Sequence, residues 1–539
     1  MSFNPRPGRI GRIETRLCPG RFWQSYHVPF VSIGLIALAT ALRLAGIARE
    51  SIWLDEATSL MLARMTLPEL IRTTSLDVHP PLYYILLHFW ISLGQSEAII
   101  RGLSTVAGVL NVLIIYGLGR ILFDSQTGWI AAALLAVAPF HVWYSQEARM
   151  YAWVTTLMSA SVLLALWFWR GRRWLAWIGY VLVTAAALYT HYYAVFSILV
   201  VNLFFVYLLL RGGYAPGWRG YCAFDKRLFW SWAAAQGVVL VLFLPWLPMF
   251  LVPMTTGGEG WVTFGAGKPS LAVLPQTAVL YMVGGARAQY PLLVRRLAYV
   301  LFVGAFVVGL WPRRRPSRDQ GTGARGQPAD PRFLIPGETE ALGFSLAYLA
   351  LPLGIAWVSS QILKPMYSAR YMLPFLIPFL LLVARGVRNV PWAVARVVLL
   401  VALVAVMGVG IAAQVKTLDK PDWRSWSAKL IQAVQKDDLV LFMPGWHAKP
   451  FDYYAQGRLS LFSDVPVPVD RYGGQALKVV EKAIAGHPRV WLVWETPHYT
   501  DRDGAVYNYL RAHCRQVSET QMPLLGRIIL FENPGAAGG

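Results

Sequence analysis

About eleven long apolar runs separated by short polar stretches fill the chain from Val28 to Ala412, and runs of this length are what helices need to cross a bilayer with their backbone groups satisfied internally. They cover Val28 to Ala45, Gly102 to Leu122, Gly128 to Tyr144, Tyr151 to Trp169, Trp174 to Tyr189, Ala194 to Leu210, Phe229 to Leu251, Leu292 to Leu310, Leu342 to Ser360, Tyr371 to Val383 and Val394 to Ala412. The pattern predicts a polytopic α-helical membrane protein. Composition agrees: of 539 residues 56% are hydrophobic and only 14% charged, where soluble domains carry about a quarter charged residues. The net charge of +21 would suggest a nucleic-acid partner in a soluble chain. Here the basic residues cluster between apolar segments, as cytoplasmic loops do, and no nucleic acid is expected.

Those basic loops set the orientation. The N-terminus carries Arg6, Arg9, Arg12, Arg16 and Arg21 before the first run, with no small-residue cleavage site after it, which reads as a retained signal anchor with the N-terminus inside. Leu82 to Leu93 is also apolar but short for a span. If it lies along the outer interface, Arg170 to Arg173, Arg211 to Arg227, Arg313 to Arg315 and Arg385, Arg388 and Arg396 all fall inside; if it crosses, all fall outside, against the positive-inside rule. The expectation is therefore about eleven spans, N-in and C-out, with external interfacial helices in the first loop. Asp55, Glu56, Asp77, His79, the Ser145 to Met150 turn, His191 to Tyr193 and Tyr367 to Tyr371 then share one external face.

Gly257 to Ser270, with Glu259 and Trp261, reads either as a mobile cover for that face or as an ordinary loop. Pro312 to Pro336, rich in Pro, Gly and Arg, reads as a cytoplasmic linker. After the helical part, 1–413, residues 414–539 are expected to form a small external α/β domain. Its strands are expected at Asp438 to Met443, Val490 to Trp494 and Arg527 to Phe531, its helices at Gln475 to Ala485 and Gly504 to Cys514. No Gly-rich nucleotide fingerprint opens any of these helices. Cys18, Cys222 and Cys514 are too scattered for a disulfide framework or thiolate metal site.

Each polar cluster on the external face allows a plain and a functional reading. Asp55-Glu56 can cap the helix that follows, or supply a general base for an incoming hydroxyl. His79, held by Pro80 and Pro81, is either structural or a positive charge beside a phosphate. Glu147 and Arg149 can pair with each other across two helix ends, or bind a ligand. His191, Tyr192 and Tyr193 suit an interfacial belt or a sugar-stacking wall. Arg370, beside Tyr371, can snorkel to headgroups or clamp a phosphate with its planar fork. Lys416, Lys420, Asp422, Trp423 and Arg424 read as a hinge or a lipid-headgroup contact. No His-Glu-x-x-His or comparable metal spacing occurs.

Together, Trp53-Leu54-Asp55-Glu56, Asp77-Val78-His79-Pro80-Pro81-Leu82-Tyr83-Tyr84, Ser145 through Tyr151 and Ser368-Ala369-Arg370-Tyr371-Met372-Leu373-Pro374 resemble the membrane glycosyltransferases of the C-type fold. The chain is most similar to the bacterial branch of the dolichyl-phosphate-mannose protein mannosyltransferase superfamily, which includes the lipid A aminoarabinose transferase. The likeness covers Val28 to Leu210 and the Tyr367 region. It implies an enzyme that transfers a sugar, with inversion, from a polyprenyl-phosphate carrier to an acceptor hydroxyl outside a bacterial cytoplasmic (inner) membrane. The acceptor is a lipid, a glycan or a protein. The resemblance assigns Asp55, with Glu56, as catalytic acids, His79, Arg370 and Tyr371 to the carrier phosphate, and Glu147, Arg149, Tyr151, His191 and Tyr192 to sugar or acceptor. His79 stands where the aminoarabinose branch often has lysine. In the oligosaccharyltransferase cousins acids at equivalent loops hold a divalent metal; the closer branches need not use one, so no obligatory cofactor is expected, a divalent ion being the alternative. A transporter or flippase of lipid-linked sugar would show internal repeats and midplane polar groups, which are not seen. A ligase or polymerase of lipid-linked glycans would carry a different motif set.

Overall fold

The computed structural model describes residues 19–171, 174–211, 226–255, 268–285, 290–312, 337–363, 365–417, 420–494, 500–524 and 526–535. The predicted cover lies outside these residues except for 268–270, as do Cys18, Cys222 and all of the Pro312 to Pro336 linker after its first residue. Helix α1 (Pro19–Leu44) is followed by a loop bearing α2 (Leu54–Arg64), α3 (Leu67–Thr74) and α4 (Leu82–Trp90). The helical part continues through α5 (Glu97–Leu122), α6 (Ser125–Ala136), α7 (Pro139–Ser145), α8 (Tyr151–Gly171), α9 (Trp174–Leu188), α10 (Ala194–Arg211), α11 (Lys226–Phe243) and α12 (Leu247–Thr255). It closes with α13 (Val273–Val283), α14 (Leu292–Leu310), α15 (Glu338–Ile362), α16 (Leu376–Asn389) and α17 (Ala393–Lys416).

Seven of these stretches, among the described residues, are long and apolar enough to cross a membrane: α5, α8, α11 with α12, α14, α15, the run from Ala369 through α16, and α17. The apolar part of α1, α9 and α10 are shorter. Every predicted span is helical, with a 3-10 turn inside Phe229 to Leu251 and at the start of Tyr371 to Val383, and one of them is sharply bent. The run Gly128 to Tyr144 is broken into α6 and α7, bent by 61°. Pro139 explains the break, because it has no N–H to give the carbonyl of Leu135 one turn earlier. Arg43 of α1, fully buried, supplies the missing donors instead: its Nη2 bonds Leu135 O at 3.2 Å and its Nη1 bonds Ala136 O at 3.0 Å. A freed carbonyl inside an apolar bundle must find such a partner. Helix α13 lay between two assigned segments and was not anticipated.

Small residues let the helices approach closely. A Cβ on Gly119 of α5 would come within 2.6 Å of the Gly128 Cα on α6, and one on Gly386 of α16 would collide with the Ala305 carbonyl of α14. At the end of the bundle where the basic loops are expected, Arg385 pairs with Glu338 at 2.6 Å and Arg388 with Asp124 at 3.5 Å. In the first loop, Ile71, Leu76, Phe89 and Leu93 are exposed, an apolar row that suits an interfacial position for α3 and α4.

The C-terminal part contains α18 (Trp423–Ala433), β1 (Leu439–Met443), α19 (Ala448–Ala455), β2 (Leu461–Phe462), α20 (Val469–Tyr472), α21 (Gly474–Ile484), β3 (Arg489–Trp494), α22 (Ala505–His513), β4 (Arg515–Met522) and β5 (Gly526–Glu532). They form a five-stranded sheet in the order β2-β1-β3-β5-β4, with β1 parallel to β2 and β3, and β5 antiparallel to β3 and β4. Side chains of β1 are buried on both faces. Leu439, Leu441 and Met443 pack under α21 and α22, and Val440 and Phe442 under α18 and α19. That is why β1 reads as an unbroken apolar run. The sheet domain meets the helical part through α19, which packs on α2. Tyr454 OH accepts from Ile52 N at 2.8 Å and donates to Glu97, Tyr453 OH donates to Gln95 O at 2.9 Å, and Arg424 pairs with Glu97.

Candidate active site

The site is assembled from the first loop outward. Arg101, near the start of α5, donates to the carbonyls of Ile47 at 2.7 Å, Glu50 at 2.8 Å and Ser51 at 3.1 Å, folding that turn against the bundle. Its fork also takes both carboxylate oxygens of Glu56, at 2.8 and 2.7 Å. Glu56 further accepts from Ala148 N at 2.9 Å and from Lys420 Nζ at 3.2 Å, and is fully buried. Burial alone would raise this carboxyl; Arg101 and Lys420 overcome it and hold it down to about 2. The sequence grouped Glu56 with Asp55 as a catalytic acid. With every oxygen engaged and no exposure, Glu56 instead ties the first loop, the α7–α8 turn and the linker together.

Asp55 points elsewhere. Its Oδ2 accepts from Arg370 Nη1 at 2.9 Å, and Arg149 Nε lies 4.0 Å away. Asp55 and Arg370 keep 25% and 34% of their side-chain surface exposed, so a ligand can reach both. Arg149 is fixed by donating to Asp55 O, Ser59 Oγ and Tyr84 OH, each at 3.3 Å, while Ser104 Oγ holds its carbonyl at 3.1 Å. Of the two readings of Glu147 and Arg149, the mutual pair is not formed: Arg149 lies beside Asp55, and Glu147 Oε1 lies 4.0 Å from Lys420 Nζ. Burial pushes the Glu147 carboxyl up to about 7, against the pull of Lys420. Gln146 secures the turn by donating to the carbonyls of Leu42, Arg43 and Ala45 at the end of α1, at 3.2, 3.0 and 2.8 Å.

An aromatic wall stands beside these charges. The guanidinium of Arg370 lies 5.9 Å from the Tyr151 ring centroid and 5.5 Å from that of Tyr371. Tyr371 contacts His191 at 4.8 Å, and His191 meets His79 at 5.8 Å between centroids. His191 Nδ1 accepts from Tyr193 N at 3.1 Å, so the neutral ring carries its proton on Nε2, which is buried with no hydrogen-bond partner. Burial, with Arg149 and Arg370 nearby, lowers His191 to about 3. The same causes, with His191 added, push His79 well below its ordinary value. Of the two readings of His79, this burial favours the uncharged ring, although the Asp77 carboxylate lies 4.0 Å away. Tyr192 turns from the wall to Trp246, whose Nε1 donates to its hydroxyl at 3.1 Å. Its neighbour Tyr193 takes the place beside Tyr371, at 5.2 Å, and its OH anchors Met366 O at 2.6 Å.

The sequence therefore brought together Asp55, Arg149, Tyr151, His191, Arg370 and Tyr371, with His79 and Glu147 at the edges. It missed Arg101, read Lys420 only as a hinge or lipid-headgroup contact, and named Tyr193 in the aromatic cluster without assigning it to a ligand. Arg101 gave a signal, being an arginine at the mouth of an apolar run, where charge is costly unless used. Helix α13 also serves the site unannounced: Tyr281 OH bonds Met372 O at 2.5 Å and Thr277 Oγ1 meets Tyr367 OH at 2.7 Å, steadying the segment that carries Arg370.

Residues 78–249 match the protein family described as dolichyl-phosphate-mannose-protein mannosyltransferase. No curated protein matches the sequence. Among solved structures, the chain is similar to ArnT from Cupriavidus metallidurans bound to undecaprenyl phosphate, with TM-score 0.60 and 12% identity over 94% of this chain and 98% of that one. It is also similar to the oligosaccharyltransferase AglB from Archaeoglobus fulgidus in complex with an inhibitory peptide and a dolichol-phosphate, with TM-score 0.54 and 12% identity over 94% of this chain and 74% of that one. At these identities the likeness is one of fold.

Proposed function

Taking the chain as a membrane glycosyltransferase of the superfamily that includes the dolichyl-phosphate-mannose protein mannosyltransferases and ArnT, we propose that it moves a sugar, with inversion, from a polyprenyl-phosphate carrier to an acceptor hydroxyl on the extracytoplasmic face of a bacterial cytoplasmic membrane. The observation that carries this reading is the 2.9 Å contact between Asp55 Oδ2 and Arg370 Nη1, brought together from segments 315 residues apart on a partly exposed floor. The neighbours of this fold that hold undecaprenyl phosphate and dolichol-phosphate support the carrier class. The basic loops, inside when the site is outside, support its side of the membrane.

In this reading the carrier phosphate takes the place of Asp55 on Arg370, whose planar fork matches phosphate oxygens. Tyr371 lies beside it, and neutral His79 acts as a hydrogen-bond donor and not as a charge. Asp55, released, accepts the proton of the acceptor hydroxyl. The acceptor oxygen attacks the anomeric carbon opposite the phosphate, the bond from that carbon to the phosphate oxygen breaks, and its electron pair leaves with the carrier phosphate. The positive field of Arg370 and Arg149 stabilises that departing charge. Tyr151 and His191 offer a ring face and an unpartnered Nε2–H to sugar hydroxyls, and Glu147 offers a carboxylate oxygen without a partner. The pairing of the acids supports a reading without an obligatory divalent ion. Asp55 is paired with Arg370 and Glu56 with Arg101 and Lys420, and no three His, Cys, Asp or Glu side chains gather around one point among the described residues.

Mass spectrometry of envelope glycans, lipids and glycoproteins tests the reading in cells lacking this chain, complemented with wild type or with Asp55→Ala. One class of glycan should lose a single sugar, restored by wild type and not by the variant. An unchanged profile would remove the proposed activity.

A further inference from the structure

We propose that Lys420, in the segment joining the helical part to the sheet domain, is a positioning residue that keeps Glu147 a carboxylate within electrostatic reach of Asp55 and Arg370. This rests on the function proposed above. The geometry is that of a cation shared by two buried acids: Lys420 Nζ is 3.2 Å from Glu56 Oε2 and 4.0 Å from Glu147 Oε1, with 7% of its side chain exposed. The Trp53 ring lies 5.8 Å from the ammonium. Arg101 already bonds both oxygens of Glu56 and balances its charge. The ammonium is then left to balance Glu147, and the buried cluster of Arg101, Glu56, Lys420 and Glu147 is neutral only when Glu147 is ionised. Without Lys420, Arg101 and Glu56 stay matched, and Glu147 would take a proton to avoid a lone buried charge.

Glu147 is suited to be held this way. Its Oε2 is buried and makes no hydrogen bond, so no fixed donor competes with Lys420 for its charge. The charged and titratable groups around it are Lys420 from the linker, Glu56 and Asp55 from α2, Arg370 from the segment before α16, and Tyr144 from α7. Burial dominates and raises the carboxyl to about 7, Lys420 pulls it down, Glu56 and Asp55 push it up, and Arg370 pulls it down. Poised there, its charge depends on whether the lysine is present. The position of Lys420 is set by contacts of the linker with both the helical part and the sheet domain. Ser51 Oγ donates to Pro421 O at 2.7 Å, Trp423 is buried against the strands, and Arg424 holds Glu97 and the Ala48 carbonyl, the latter at 2.8 Å.

The test compares full-length wild type, Lys420→Met and Lys420→Arg. Two readouts are used: sugar transfer from a polyprenyl-phosphate donor as a function of pH, and infrared titration of the protonated-carboxyl band that disappears in Glu147→Gln. In Lys420→Met the acid limb of transfer and the infrared midpoint should both move up by about one pH unit or more, lowering transfer at neutral pH up to about tenfold. Lys420→Arg should restore the wild-type values. If Lys420→Met does not fold, Lys420→Gln, which keeps a hydrogen-bond donor for Glu56, is read the same way. A midpoint that stays in place in the neutral variants, or moves equally in Lys420→Arg, overturns the assignment. Should wild type release no sugar from any carrier, the function proposed above fails, while the infrared titration still decides the role of Lys420.

Discussion

Asp55 and Glu56 are adjacent in sequence and have opposite fates. Both lie in the first turn of α2, where one step rotates a side chain by about 100°, so one acid faces the bundle and the other the open floor. Glu56 meets Arg101, Lys420 and the Ala148 amide; Asp55 meets Arg370. Replacing Glu56 by Gln leaves Arg101 buried without its counter-charge and should cost about 3–5 kcal/mol, read as a lowered unfolding midpoint in detergent. The pH dependence has a definite sign. The Glu56 carboxyl is held at about 2 in the folded chain, so its stabilisation is complete above the ordinary carboxylate range and is lost as pH falls toward 2. The gap between wild type and Glu56→Gln should therefore close in acid. From the sequence, the pair was legible as a place for chemistry, because carboxylates beside a membrane are costly. Which acid does the work was not, since that depends on a partner 45 residues away in the chain.

At the scale of elements, the apolar runs were legible because lipid and neighbouring helices both demand apolar surface. The break at Pro139 was not, because its cause sits in another helix. Arg43 reads as one charge at the end of an apolar run, yet it carries the freed carbonyls of Leu135 and Ala136 and its Nη2 lies 2.9 Å from His141 Nδ1. Arg43→Met should leave the Ala136 carbonyl without this donor and the Leu135 carbonyl with the Ala138 amide at 3.3 Å, and cost about 1–3 kcal/mol. Transfer should fall with it, because α7 leads directly into the turn bearing Glu147 and Arg149. Thermal unfolding and transfer assays on the same preparation check both effects. In the sheet domain, β1, β3 and β5 were legible as apolar runs, whereas β4 is polar and exposed almost throughout and carries no such pattern.

Over the whole molecule, the polar residues of five distant segments meet at one end of the bundle. Loop parity under the positive-inside rule predicts that these segments share one face of the membrane. What parity does not give is depth and direction: that Tyr193 and not Tyr192 enters the wall, that His79 is uncharged, and that the linker sends Lys420 back into the core. Each depends on packing between elements far apart in sequence. The most direct test of the central claim uses the purified chain in lipid nanodiscs with a panel of polyprenyl-phosphate-linked sugars and candidate acceptors. Free polyprenyl phosphate and the anomeric configuration of the product are followed for wild type and Asp55→Asn. The account predicts carrier release coupled to an inverted glycoside, slowed about 10²–10⁴-fold by Asp55→Asn with donor binding retained. Retained configuration, or a variant that turns over as fast as wild type, would contradict it.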